Sequence, residues 1–71
     1  MAQNQHSMAV DQILHKALGR ETQARDFYTE LAANCSVSFV RDLLEKLQNE
    51  ESKHIRMVKD MISRLESGNG L

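Results

Sequence analysis

The stretch LLEKLQNEESKHIRMV, residues 43–58, decides the fold because its apolar residues recur at steps of three and four. Such steps place side chains on one face of an α-helix, whereas a half-buried β-strand needs every second residue. The same spacing continues in both directions and predicts a helix over about residues 37–66. Its heptad positions are Val40, Leu44, Leu47, Glu51, His54, Val58, Met61 and Leu65.

A second periodic stretch lies before the first and predicts a helix over about residues 7–33. A cluster of small polar residues at 34–36 separates the two helices, with Asn34 suited to a left-handed helix end and Ser36 suited to a helix N-cap. Residues 67–71 are predicted to form a flexible tail. With two helices and one short connection, residues 1–71 are predicted to form a single domain, an antiparallel helical hairpin. The heptad positions of the first helix are Val10, Leu14, Ala17, Glu21, Ala24, Tyr28 and Leu31.

The apolar stripe of each helix is wider than a two-helix contact needs. The chain has only 71 residues and one cysteine, so an internal disulfide cannot stabilise its small core. We therefore expect an all-α hairpin that dimerises into a four-helix bundle, as a homodimer or a larger homo-oligomer built from dimers. The stripes are widened by Ile13, Leu18, Phe27, Leu43, Ile55, Met57 and Ile62.

Charge and hydropathy argue against two classes of partner. The formal net charge is −1, which provides no basic patch for nucleic acid. No apolar run approaches the 18 or so residues of a membrane span, and residues 1–6 lack the features of a secretory signal. The sequence thus predicts no nucleic-acid partner, no membrane insertion and a cytoplasmic location.

Three polar residues occupy heptad positions where an apolar residue is expected, namely Glu21, Glu51 and His54. Counted from the turn near residue 35, and with a rise of about 1.5 Å per residue, all three fall within about 8 Å of one level along the hairpin. Glu51 and His54 are three residues apart and share one helical face. A Glu from one helix and Glu-x-x-His from the next form half of the ligand set of a di-iron or di-manganese bundle.

An alternative interpretation is that these residues belong to a structural bundle, in which buried polar groups only fix the register of helix packing. Convergence at one level favours the metal site. Glu50, which precedes Glu51, is read as a solvated helix residue, and His6 and His15 fall off the heptad pattern and are expected at the surface. Cys35 is expected to be an exposed free thiol in the turn.

Two motifs resemble the rubrerythrin branch of the ferritin-like proteins. Residues 20–32, RETQARDFYTELA, are similar to its E-x-x-A-x-x-F-Y-x-x-L-A helix, and residues 43–54 are similar to its L-x-x-L-x-x-E-E-x-x-H helix. The resemblance implies that Glu21, Glu51 and His54 are metal ligands with a catalytic role. It also implies that Tyr28 supports the cofactor site from behind the ligands.

The chain departs from typical rubrerythrins, which hold four helices in one chain and often add a module with paired cysteines. With two predicted helices and one cysteine, it resembles the two-helix encapsulated ferritins, which assemble the site between subunits inside a protein shell. That likeness implies Fe(II) oxidation with dioxygen or peroxide at a di-iron site shared between chains, although manganese or zinc could occupy it. A shell partner and a nanocompartment location remain open, as does the alternative of a metal-binding module without turnover.

Overall fold

The computed structural model describes residues 9–68, which form two α-helices joined by a short connection. Helix α1 is Val10–Ala33 and helix α2 is Ser38–Glu66. The two helices pack side by side as an antiparallel hairpin measuring 53 × 28 × 12 Å, so the molecule is a layer about one helix thick. The predicted all-α hairpin is confirmed.

Helix α1 begins at Val10, later than the predicted start near residue 7. Ala9 has an extended backbone (φ −61°, ψ 149°) and precedes the first helical residue. Its N–H donates to the side-chain oxygen of Gln12 at 3.1 Å, and Asp11 places a negative charge in the first turn, where the helix dipole favours it. Residues 7 and 8 lie outside the described part of the chain, as does His6.

The connection between the helices differs from the prediction at two residues. Asn34 is not left-handed (φ −103°, ψ 7°), because its backbone and side-chain N–H groups both donate to the carbonyl oxygen of Glu30 and satisfy the helix end without a positive φ. Val37, and not Ser36, is the N-cap residue of α2. The carbonyl of Val37 accepts the N–H of Arg41 at 2.9 Å, which starts the helical ladder.

Helix α2 ends at Glu66, where the sequence predicts it. Gly68 then adopts a positive φ of 83°, a conformation that glycine reaches without a steric penalty. Its N–H donates to the carbonyl of Leu65 at 3.2 Å, so one orphan carbonyl of the last turn is satisfied. Residues 69–71, the rest of the predicted tail, lie outside the described residues.

The two helices meet along a narrow apolar strip that we call the inner face. Its two most buried residues are Ile55, with 5% of its surface exposed, and Ala32, with 6%. The other members are only half-buried, because a single neighbouring helix covers one side of each. The inner face consists of Leu14, Leu18, Ala32, Leu44, Ile55, Val58 and Ile62.

A second apolar strip lies uncovered on one side of the hairpin, and we call it the open face. In both helices each of its residues immediately precedes an inner-face or half-buried residue, as Ile13 precedes Leu14 and Leu43 precedes Leu44. Because the helices are antiparallel, an offset in the same rotational sense puts both strips on the same side. The open face consists of Ile13, Phe27, Leu31, Leu43, Met57 and Met61.

Between residues 9 and 68, neither helix combines the length and the apolar character that crossing a lipid bilayer requires.

Candidate metal centre

Three ligand-type side chains converge halfway along the hairpin. Glu21 projects from α1, and Glu51 and His54 project from adjacent turns of α2. One ligand atom of each residue lies within 4.8 Å of those of the other two. The structure thus brings together the three residues that the sequence singled out, although a metal-binding role for them remains a prediction.

The imidazole of His54 holds the group together. Its Nδ1 lies 3.2 Å from Oε1 of Glu21 and donates a hydrogen bond there when that nitrogen carries the proton. The same Nδ1 lies 3.3 Å from Oε1 of Glu51. That second contact is not aligned as a hydrogen bond, so the buried Oε1 of Glu51 has no hydrogen-bond partner among the described residues.

The centre opens toward the open face. The side chain of Glu51 is 19% exposed and that of Glu21 is 29% exposed, while that of His54 is 47% exposed. The sequence placed His54 at a core heptad position, and the hairpin alone does not bury it. His54 lies one position before Ile55, on the side of α2 that carries the exposed apolar strip.

The three groups control the protonation of one another. A hydrogen bond with the Glu21 carboxylate, reinforced by desolvation, raises the pKa of Glu51. The same bond lowers the pKa of Glu21, and His54 lowers it further. The hydrogen bond to Glu21 raises the pKa of His54 above its ordinary value of 6.5. As metal-free protein is acidified, His54 and Glu51 are therefore expected to take up protons before Glu21 does.

Arg20 is a nearby residue that the sequence reasoning missed. Its positive charge helps to lower the pKa of the neighbouring Glu21 carboxyl. Within residues 9–68 its guanidinium makes no ion pair. Its position next to Glu21 in the sequence was the available signal.

Other residues considered from the sequence lie outside the centre. Glu50 is exposed and faces Lys53 at 3.6 Å, as expected for a solvated helix residue. His15 is exposed, and its Nδ1 lies 2.8 Å from the carbonyl oxygen of Asp11. Tyr28 is half-buried, with its ring against Phe27, and its hydroxyl has no hydrogen bond to the three ligand candidates in the described part of the chain. Its supporting role stays a prediction.

Cys35 is a free thiol, as expected, but it is half-buried and not exposed. Its Sγ lies 3.5 Å from the carbonyl oxygen of Val37, which folds the side chain back onto the connection.

The donor set fits a transition metal. Two carboxylates provide hard oxygen donors that can bridge a pair of cations, and an imidazole suits iron, manganese or zinc. The Oε1 of Glu51, which has no hydrogen-bond partner within residues 9–68, is a buried acceptor that a cation would satisfy. Three side chains alone leave further coordination positions free for other ligands.

Comparison with known proteins agrees with this donor set. The Rubrerythrin family model matches residues 12–71, which is most of the chain. The chain belongs to the rubrerythrin family. No curated protein and no solved structure gives a significant match. Rubrerythrins typically bind iron, and the candidate centre of this rubrerythrin-family chain contains the carboxylates and the imidazole that such binding uses.

Proposed function

We propose that this chain is a di-iron carboxylate protein that oxidises Fe(II) with dioxygen or peroxide, at a centre shared between two subunits. The observation that carries the proposal is the convergence of Glu21, Glu51 and His54 within 4.8 Å in a chain of the rubrerythrin family. Each of the three has a distinct contribution.

Glu21 and Glu51 supply negative charge from opposite helices, so a cation between them draws the helices together. Their carboxyl groups lie close enough to share a proton in the metal-free state, as the opposite shifts of their pKa values indicate. To hold a divalent cation, Glu21, Glu51 and His54 would have to release their protons, because carboxylate and neutral imidazole are the forms that bind metal. Metal binding by this chain is therefore expected to release protons.

His54 orients the centre. Its ring is held by the 3.2 Å contact between Nδ1 and Oε1 of Glu21, so binding at Nδ1 would replace that contact and binding at Nε2 would keep it. In either case the half-exposed ring directs the centre toward the open face. Bound iron supplies the one-electron oxidation steps and the open coordination positions for the oxidant.

The count of ligands supports the proposal that the centre is shared between subunits. One hairpin provides two carboxylates and one imidazole. A symmetric pair of hairpins provides four carboxylates and two imidazoles, which is the ligand set of carboxylate-bridged di-metal bundles. The four negative charges of the carboxylates would balance two divalent cations. We propose that the second set approaches from the open face, where His54 is exposed.

Anaerobic titration with Fe(II), followed by admission of air, tests the proposal. We expect about one iron bound per chain, followed by oxygen consumption and conversion of Fe(II) to Fe(III) faster than in protein-free buffer. The matched control is Glu45→Gln, which alters an exposed carboxylate on the opposite side of α2 and should leave both iron binding and oxidation unchanged.

The other results contradict the proposal in different ways. Iron binding without accelerated oxidation would indicate a metal-holding module. Absence of iron binding would indicate a structural bundle in which Glu21, Glu51 and His54 only fix the packing register.

A further inference from the structure

We propose that Arg20 and the candidate metal centre together bind a small inorganic oxyanion such as phosphate, held between the guanidinium and the bound cation. The inference rests on the proposed function in one respect, because it takes Glu21, Glu51 and His54 as metal ligands. It adds an anionic ligand and the residue that recruits it, and it requires the side chains of one chain only.

Arg20 lies beside the centre, on the side of the hairpin that carries the open face. It immediately precedes half-buried Glu21 in α1, just as exposed His54 immediately precedes buried Ile55 in α2. With a rise of about 1.5 Å per residue, Arg20 is also at nearly the same level along the hairpin as Glu21. A positive side chain is therefore placed next to the ligand candidates, where they meet solvent.

Arg20 interrupts an apolar row of α1. Ile13 lies seven residues before it and is 50% exposed, and Phe27 lies seven residues after it and is 55% exposed. Residues seven apart lie on the same side of an α-helix. An apolar residue at position 20 would continue the row, so packing of this strip does not explain an arginine at the level of the centre.

The guanidinium of Arg20 is available to an anion. Within residues 9–68 it makes no ion pair, whereas the guanidinium of Arg25 contacts Asp26 at 3.1 Å. The positive charge of Arg20 nevertheless acts on the centre, because it helps to lower the pKa of Glu21. Exposed arginines without an ion pair are common on helices, and the position beside three ligand candidates is what distinguishes this one.

The charge of an occupied centre favours an anion. The carboxylates of Glu21 and Glu51 neutralise one divalent cation, and a trivalent cation leaves positive charge on the centre. With the guanidinium of Arg20 beside it, the net charge is positive in both cases.

The coordination and hydrogen-bonding groups also suit an oxyanion. Three side chains leave coordination positions of the metal free. Phosphate can place one oxygen in such a position while two others accept parallel N–H bonds from a guanidinium, whose planar fork matches them. Arg20 is the residue that supplies this fork next to the centre.

Phosphorus-31 relaxation of inorganic phosphate tests the inference on the full chain loaded with Mn(II), a paramagnetic cation that needs no oxidant. Mn(II) shortens the relaxation times of phosphate that binds close to it, and electron paramagnetic resonance checks that no free Mn(II) contributes. We expect a saturable effect in the wild type and about tenfold weaker phosphate binding in Arg20→Gln. Arg20→Lys should fall between them, because lysine keeps the charge and loses the fork.

The matched control is Arg56→Gln. Arg56 is also exposed and also lacks an ion pair in the described part of the chain, but it follows Ile55 and so lies on the other side of α2 from His54. This variant should keep the phosphate affinity of the wild type. Circular dichroism and the stoichiometry of bound Mn(II) check that all variants retain the hairpin and the metal.

Three results would overturn the inference. The first is equal phosphate affinity in the wild type and Arg20→Gln. The second is an equal loss in Arg56→Gln, which would indicate general attraction of anions to a positive surface. The third is no phosphate effect in the wild type together with weaker self-association of Arg20→Gln in analytical ultracentrifugation, which would assign Arg20 to a contact between copies.

The proposed function fails separately. A wild-type chain that binds phosphate through Arg20 and Mn(II) but does not accelerate the oxidation of Fe(II) would retain the oxyanion site and reject the activity. A chain that oxidises Fe(II) and shows no phosphate effect would reject the oxyanion site alone. A chain that binds neither Mn(II) nor Fe(II) would reject both.

Discussion

The inner face and the open face of this hairpin have similar apolar side chains but differ in how far those side chains are buried. Leu44 lies between the helices and is half-buried, whereas Leu43, the residue before it, leaves 54% of its surface exposed. The same contrast separates Ile62 from Met61. Burial in this molecule is therefore decided by one step around the helix and not by the chemistry of the side chain.

The contrast shows that only part of the apolar surface of the hairpin holds its two helices together. Burial of apolar area stabilises a fold by about 25 cal/mol per Å², so an uncovered strip contributes nothing until something packs on it. The candidate metal centre lies where the two faces adjoin, with Glu51 toward the inner face and His54 toward the open face. Perturbing the two faces separately should have different consequences.

The largest expected effect is at the junction of the faces. Glu51→Ala removes the carboxylate whose Oε1 has no hydrogen-bond partner in the part of the chain that the structure describes, and we expect loss of essentially all bound metal. Native mass spectrometry with and without Fe(II) reports the metal count and the assembly together. Glu45→Ala is the control, since Glu45 is exposed on the side of α2 away from the centre and should leave the metal count intact. Full metal occupancy in Glu51→Ala would refute the ligand assignment.

A charge on the open face should break assembly while keeping the hairpin. Leu43→Glu would place a carboxylate in the proposed interface, where desolvation costs several kcal/mol, so we expect association to weaken by about 100-fold or more. Analytical ultracentrifugation measures this change. Ser63→Glu introduces the same charge on the exposed opposite side of α2 and should leave association unchanged. Equal association of both variants with wild type would show that the open face is not the interface.

A cavity in the inner face should act on the hairpin itself. Ile55→Ala removes the most buried large side chain, and we expect the free energy of unfolding to fall by about 2–4 kcal/mol. Urea unfolding monitored by circular dichroism, at protein concentrations where the chain is monomeric, gives this value. The matched change Met57→Ala on the open face should cost less than about 1 kcal/mol under the same conditions, because its side chain is 65% exposed.

The smallest expected effect is the pH dependence of the metal-free protein. The pKa of His54 is raised by Glu21, so the stabilisation from this pair is complete below the ordinary imidazole pKa of 6.5 and is lost as pH rises through the raised pKa of His54. The raised pKa of Glu51 acts in the same direction, since its ionisation as pH rises is disfavoured in the folded state. At the acid end, the stabilisation is lost as pH falls through the lowered pKa of Glu21.

Thermal melting of metal-free wild type and His54→Gln, from about pH 6 to about pH 9, measures this dependence. The wild type should be the more stable of the two at the acid end, and the difference should shrink as pH rises. A difference that grows toward alkaline pH would show that His54 is not stabilised by Glu21 in its charged form.

The sequence predicted the helices well because apolar periodicity and the absence of proline leave few alternatives. The sequence also predicted that Glu21, Glu51 and His54 lie at one level along the hairpin, since the rise per residue of an α-helix fixes that level. The connection was harder to predict, because a side-chain bond of Asn34 to Glu30 replaced the left-handed turn. The division into faces was missed as well. A heptad pattern groups Leu44 with Met61, and only the packed pair of helices shows which of them is covered.

The Oε1 of Glu51, which is buried and has no hydrogen-bond partner among residues 9–68, also affects the fraction of the protein that is folded. Its desolvation disfavours the metal-free hairpin, whereas a ligand that binds the folded chain and not the unfolded one shifts the folding equilibrium in proportion to its concentration. If the proposed centre binds metal, the supply of that metal would therefore change the fraction of chains that are folded and protected from proteolysis. The proposed metal binding would then couple the abundance of the protein to the supply of its metal, without a separate sensor.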